Sequence, residues 1–180
     1  MIFLATEVDG AFLIRPERLV DERGFFARTY CVREFQEHGL VSTFVQRNIS
    51  YNRTRGTLRG MHFQLAPHAE TKVVSCSRGA IHDVIIDLRP SSPSYRRHIA
   101  VALTADSFEA LYVPEGCAHG FLTLTDDAVV EYQMSTFHHP GSAGGVRYDD
   151  PAFGITWPMA PAVISERDRT YPDFSATASA

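Results

Sequence analysis

Residues Gly79 to Leu88 alternate strictly, with Ile81, Asp83, Ile85 and Asp87 on one face of an extended chain and His82, Val84, Ile86 and Leu88 on the other. A period of two predicts a strand, and both faces mix apolar and polar groups, as expected where one side meets a cavity or a second sheet. An interior strand tolerates the polar ones only beside a cavity or a partner, because an unsatisfied buried polar group costs about 1–3 kcal/mol.

Similar runs recur along the chain. Ala11–Ile14, Phe25–Tyr30, Phe44–Tyr51, Thr57–Gln64, Lys72–Ser77 and Ile99–Leu103 read as strands, as do Ala110–Val113, Ala118–Leu124, Val129–Thr136 and Gly145–Tyr148. Turn signals separate them, among them Asp21-Glu22-Arg23-Gly24 and Arg89-Pro90-Ser91-Ser92-Pro93-Ser94. Val32–His38 holds helix formers and stops at Gly39, a short helix. Short strands at a spacing of roughly 8–12 residues predict an all-β sandwich or barrel. The 180 residues suit one domain spanning 1–180, without repeat or internal boundary. The Pro-containing tail from Asp149 is expected to wrap over the barrel, and 175–180 to fray.

Several function classes are disfavoured. A net charge of −4 offers no global attraction to nucleic acid. No apolar run approaches the roughly 20 residues of a membrane span, and Met1–Ala5 lacks the basic and long apolar parts of a secretory signal. Cys31, Cys76 and Cys117 are odd in number and widely spaced, which points to reduced thiols and a cytoplasmic setting.

Two stretches carry candidate chemistry. Gly56-Thr57-Leu58-Arg59-Gly60-Met61-His62-Phe63-Gln64 places an Arg and a His in an apolar strand, and Pro114-Glu115-Gly116-Cys117-Ala118-His119-Gly120 adds a second His. In a cupin-type jelly-roll barrel, a metal site takes a His-x-His pair, a Glu and a downstream His. Here Gln64 stands in the second position, so His62, Gln64, Glu70 and His119 make a poor ligand set. A metal-dependent cupin enzyme is therefore the weaker alternative. His62 is better read as a base, with Asp168, Asp83 or Asp87 as its orienting carboxylate. Strict alternation would put Arg59 and His62 on opposite faces, and they share a site only if Gly60 forms a bulge. Of 17 basic residues, Lys72 is the only lysine, and a lysine suits acid–base or oxyanion chemistry in a way arginine does not.

The chain resembles the dTDP-4-dehydrorhamnose 3,5-epimerases in Leu58–Gln64, Lys72–Cys76, Gly79–Arg89, Ser92–Tyr95 and Pro114–Phe121. Asp150-Pro151, Trp157-Pro158 and Ser165-Glu166-Arg167-Asp168 continue the match in the family's order. The resemblance implies an all-β, cupin-type jelly roll with a few short helices. It also implies a cytoplasmic homodimer that exchanges N-terminal strands and needs no metal or other cofactor. Its substrate would be a nucleotide sugar, dTDP-4-dehydro-6-deoxyglucose, inverted at C3 and C5. The resemblance makes His62 the base, oriented by Asp168, Lys72 the stabiliser of the enolate oxygen, and Tyr132 the acid on the opposite face. Arg23, Gln46, Asn48, Arg59, His119, Arg167 and His138 fall on ligand-binding positions. Arg28 and Ala143 replace acidic residues of the family pattern, and His138 stands where a tyrosine is common. These departures bear on the nucleotide, and His138 on whether both carbons are inverted. A single-centre 5- or 3-epimerase, or a ketoisomerase, is the alternative on this scaffold.

Overall fold

The computed structural model describes residues 1–175. The first half of the chain forms β1 (Ile2–Ala5), β2 (Phe12–Arg15), β3 (Arg18–Asp21), β4 (Gly24–Ala27), α1 (Val32–Glu37), β5 (Gln46–Asn52), β6 (Thr57–Gln64), β7 (Lys72–Arg78) and β8 (Ala80–Asp87). The second half forms β9 (His98–Thr104), β10 (Ala110–Val113), β11 (Cys117–Thr123), β12 (Ala128–Met134), β13 (Ala143–Gly145), β14 (Val163–Ile164) and α2 (Glu166–Arg169). One six-stranded sheet has the order β1-β2-β10-β7-β12-β5, and the second runs β13-β6-β11-β8-β9 with β14 added parallel to β6. The sheets pack face to face as a jelly roll, in agreement with the all-β expectation.

The alternation in β8 explains this packing. Ile81 and Ile85 point between the sheets and meet Val74, Leu111, Val130 and Phe121. Val84 and Ile86 point outward, yet they are also fully buried, because Phe153, Ile155 and Trp157 of the C-terminal segment cover that face. The tail does wrap the barrel. A third cluster places Phe35 of α1 on the outside of the first sheet against Ile14, Val73 and Tyr112. Burying one such aromatic side chain is worth about 1.5–3 kcal/mol.

β6 and β10 begin and end at the residues the pattern indicated. Elsewhere the structure differs. The strand expected at Gly145–Tyr148 lies at Ala143–Gly145, paired with Gln64 to His62. Its glycines let Phe63 and Tyr171 pack onto the backbone, since a Cβ on Gly145 would stand 2.3 Å from the Tyr171 ring. The strand begun at Phe25 stops at Ala27, because β3, its only partner among the described residues, extends no further than Arg18 opposite it. β1, β3, β14 and α2 were not anticipated; each is four residues or fewer. Of 175–180, only Ser175 lies within the described residues.

Candidate active site

The site is built on an irregularity in β6. Across its pairing with β11, Arg59 faces Phe121 and His62 faces His119, so three steps on β6 match two on β11. The extra residue is a bulge, and it turns Arg59 and His62 to the same interior space. Gly60 has φ +138, a region closed to other residues, and a Cβ there would lie 2.5 Å from the Gly120 Cα. Gly120 is equally constrained, with the Met61 sulfur 2.6 Å from its missing Cβ. The bulge that the joint use of Arg59 and His62 required is therefore present.

The His62 Nε2 lies 2.7 Å from the Asp168 Oδ1. Asp168 reaches it because β14 runs alongside the start of β6 and leads into α2, where the Ser165 hydroxyl caps the Asp168 N–H at 3.1 Å. The Gly60 N–H donates to the other carboxylate oxygen at 3.3 Å. Burial pushes the Asp168 carboxyl up, but the His62 imidazole and the Gly60 N–H outweigh it and hold the pKa below the usual carboxylate range. With Nε2 engaged by Asp168, His62 keeps Nδ1 for a substrate proton.

The other two candidate carboxylates serve elsewhere. Asp83 pairs with the second histidine, its Oδ1 lying 2.8 Å from the His119 Nε2. Asp87 takes Arg89 and the hydroxyls of Ser92 and Ser94, with Arg89 Nε at 2.9 Å. Its burial, which alone would raise the pKa, is overcome by these three donors, and the pKa falls to about 2.

His62, Arg59 and His119 from the second sheet share a cavity of about 270 Å³ with Lys72, Tyr132 and Asn48 from the first. The rings of Tyr132 and His119 pack edge to face, their centroids 6.1 Å apart and their planes at 79°. Burial, with the negative charge of Asp83 beside it, raises the Tyr132 pKa, so the phenol holds its proton at neutral pH. Lys72 is buried, and its Nζ stands 3.0 Å from the Glu70 Oε1. Gln64 donates to the other Glu70 oxygen at 3.0 Å. Gln64 and Glu70 do meet, but Glu70 faces an ammonium and an amide. Among the described residues no group of three or more His, Cys, Asp or Glu side chains is arranged to hold a metal ion.

A second lobe of about 390 Å³ lies on the far side of Arg59 and His62 and includes Arg167 and Asp168. The Arg59 Nε donates to Asn52 Oδ1 at 2.8 Å, which aims the guanidinium along the opening. Asn48 joins the first lobe. Gln46 and His138 lie just outside it, tied by the His138 N–H to the Gln46 Oε1 at 3.3 Å. Arg23 lies in neither lobe; it sits at the tip of the β3–β4 hairpin, paired with Asp21 and exposed. Arg28 pairs with Glu34 at 2.8 Å, and Ala143 lies in β13 opposite Gln64. The pattern reading did not anticipate Glu70 as the partner of Lys72, although residues two apart on an extended chain share a face.

The sequence matches the family described as dTDP-4-dehydrorhamnose 3,5-epimerase over residues 5–176. A relative named dTDP-4-dehydrorhamnose 3,5-epimerase from Methanothermobacter thermautotrophicus is 42% identical over 94% of this chain and 92% of its own. The crystal structure of dTDP-4-dehydrorhamnose 3,5-epimerase from Elizabethkingia anophelis superimposes with a TM-score of 0.93 at 37% identity, covering 97% of this chain and 96% of that one. A Streptomyces niveus relative named dTDP-4-dehydrorhamnose 3-epimerase is 37% identical over 90% of this chain and 78% of its own.

Proposed function

The chain belongs to the dTDP-4-dehydrorhamnose 3,5-epimerase family, and we propose that its cavity carries out that isomerisation with His62, Tyr132 and Lys72 as the groups that touch the sugar. The enzyme inverts C3 and C5 of a dTDP-4-keto-6-deoxy-hexose. The observation that carries the assignment of roles is the placement of His62 and Tyr132 on opposite sheets facing one space. Inner faces of packed sheets stand about 10 Å apart, the width of one sugar ring and its contacts. His62 Nδ1 removes a proton next to the C4 ketone. Lys72 Nζ stabilises the enolate oxygen in a water-poor pocket, where such charge pairing supplies several kcal/mol. Tyr132 returns a proton from the other side. These side chains supply base, acid and cation themselves, so no metal or other cofactor enters the scheme. Arg59 and Arg167 on the second lobe suit the diphosphate, as guanidinium forks bind its oxygens bidentately.

Incubation with dTDP-4-dehydro-6-deoxyglucose in deuterated water tests this reading, with deuterium expected at both C3 and C5 of dTDP-4-dehydrorhamnose. The Streptomyces niveus relative favours one specific alternative, a 3-epimerase. Label at C3 alone would establish that alternative, and no label at either carbon would remove the function.

Exposed surface supports the dimer in the finer reading. Residues 1–180 are taken as one epimerase domain, in a cytoplasmic homodimer. Leu19, Val20 and Phe26 on the β3–β4 hairpin are about 70% exposed (67%, 77% and 71%), and the hairpin pairs with no other strand among the described residues. β5 is likewise an open edge with Ile49 exposed. We infer that a second copy covers both, and that Arg23, which lies in neither lobe of its own chain, serves the nucleotide of that copy. Sedimentation equilibrium is expected to give a dimer at micromolar concentration, and Val20→Asp with Phe26→Asp to give monomers of reduced kcat/KM. A wild-type monomer of full activity would refute the arrangement.

A further inference from the structure

β6, β11 and β8 are neighbours in the second sheet, and α2 lies beside β6. Reading across them, Asp168, His62, His119 and Asp83 form one row. His62 and His119 are directly opposed on adjacent antiparallel strands, and each gives its Nε2 to its own carboxylate, at 2.7 and 2.8 Å. The inner dyad is the more buried, with His119 at 4% and Asp83 at 0% exposure. The Asp83 Oδ2 has no hydrogen-bond partner among the described residues. An acceptor left unsatisfied in a core is costly, so Asp83 is not placed there for stability alone. His119 meanwhile lines the cavity and packs edge to face with the Tyr132 ring.

We propose that Asp83 is a positioning residue of the epimerisation, forming with His119 a second histidine–carboxylate dyad that fixes the imidazole against which Tyr132 rests. The inference builds on the role of Tyr132 given above. With Asp83 accepting the Nε2–H, the His119 ring has one orientation and presents Nδ1, as an acceptor, to a hydroxyl of the sugar. Tyr132 then meets a fixed wall, and its hydroxyl stays aimed at one face of the reacting carbon. An asparagine at this position is isosteric but can donate its own N–H to Nε2. That favours the other tautomer and releases the constraint on the ring, the effect known for carboxamides placed behind a catalytic imidazole.

The test is Asp83→Asn, read in three ways on the whole 180-residue chain. The kcat for inversion is expected to fall by at least about 10-fold, the scale of losing an orienting partner behind a functional imidazole, with KM and dTDP affinity within about 3-fold of wild type. The ratio of deuterium exchange without inversion to inversion is expected to rise, because a misaimed acid impairs reprotonation more than proton removal. Nitrogen-15 spectra of the histidine rings in the free protein are expected to show His119 as the Nε2–H tautomer in wild type and to lose that state in the variant. An unchanged exchange-to-inversion ratio, or activity lost only in proportion to folded protein, would overturn the proposal. So would an unchanged tautomer. Failure of the wild-type chain to act on the 4-keto sugar would remove the functional reading instead, and the tautomer measurement would still decide whether the dyad exists.

Discussion

His62→Ala is expected to lower turnover by at least about 100-fold, some 2.7 kcal/mol in the barrier, the lower end of the range for losing a general base. The expectation rests on how completely the imidazole is committed. Its Nε2 is held by Asp168, and Asp168 in turn is held by the Gly60 N–H, within a helix turn capped by Ser165. A ring fixed at one nitrogen leaves the other as a basic atom of defined direction, and direction is what a proton transfer needs. The side chain is 40% exposed, on the border of two lobes, so its removal opens space rather than breaking the core. The variant should therefore melt near the wild-type temperature. Lost proton exchange at both C3 and C5 in deuterated water is the direct measurement. Wild-type exchange in His62→Ala would remove the mechanism, and an unfolded variant would be visible in the same sample by circular dichroism.

Much of this arrangement was legible in the residues, though not all by the same kind of signal. Period-two alternation marked β6 and β8 as strands, but that the outer face of β8 is also covered came only with the C-terminal segment lying on it. The same alternation exposed the conflict between Arg59 and His62 and named Gly60 as the place where the conflict had to be resolved. The register between β6 and β11 resolves it there. Alternation says which side of a strand a residue faces but not which strand is adjacent. Asp83 could therefore be placed inside the barrel but not assigned to His119 rather than His62. That choice depends on β8 lying beside β11, with Asp83 opposite Phe121.

Asp168 marks the opposite limit. It is 106 residues from His62, on a four-residue helix that follows a two-residue parallel strand. Neither element is long enough to show a period, so the resemblance of Ser165–Asp168 to the family supplied this residue where pattern alone left three aspartates open. The β3–β4 hairpin fails for a related reason. All four residues of β3 are exposed, so there is no buried face to impose alternation. Lys72 illustrates a signal read correctly but incompletely. Its singularity drew attention to a buried cation, while the carboxylate facing it, Glu70, lay only two positions away.

Tyr132→Phe is expected to separate the two halves of the reaction. Inversion should fall by at least about 100-fold, whereas exchange of the C–H proton with solvent should fall far less. The reasoning is geometric. Tyr132 comes from β12 of one sheet and His62 from β6 of the other, so in the proposed roles acid and base approach a sugar ring from opposite faces. The substitution removes one hydroxyl and leaves the aromatic ring that meets His119, so packing is kept. His62 can still take the proton, and Lys72 can still stabilise the resulting enolate. Without the phenol, the protonated His62 can return a proton only to the face it came from. Deuterium should then accumulate in sugar of retained configuration, a product pattern that neither loss of the base nor loss of binding can produce. The raised pKa of Tyr132 makes this step insensitive to pH near neutrality, since the phenol is protonated throughout that range and there is no limb to titrate. Inversion at close to the wild-type rate in the phenylalanine variant would mean that another group, or water, delivers the proton, and the opposed-sheet mechanism would fall with it.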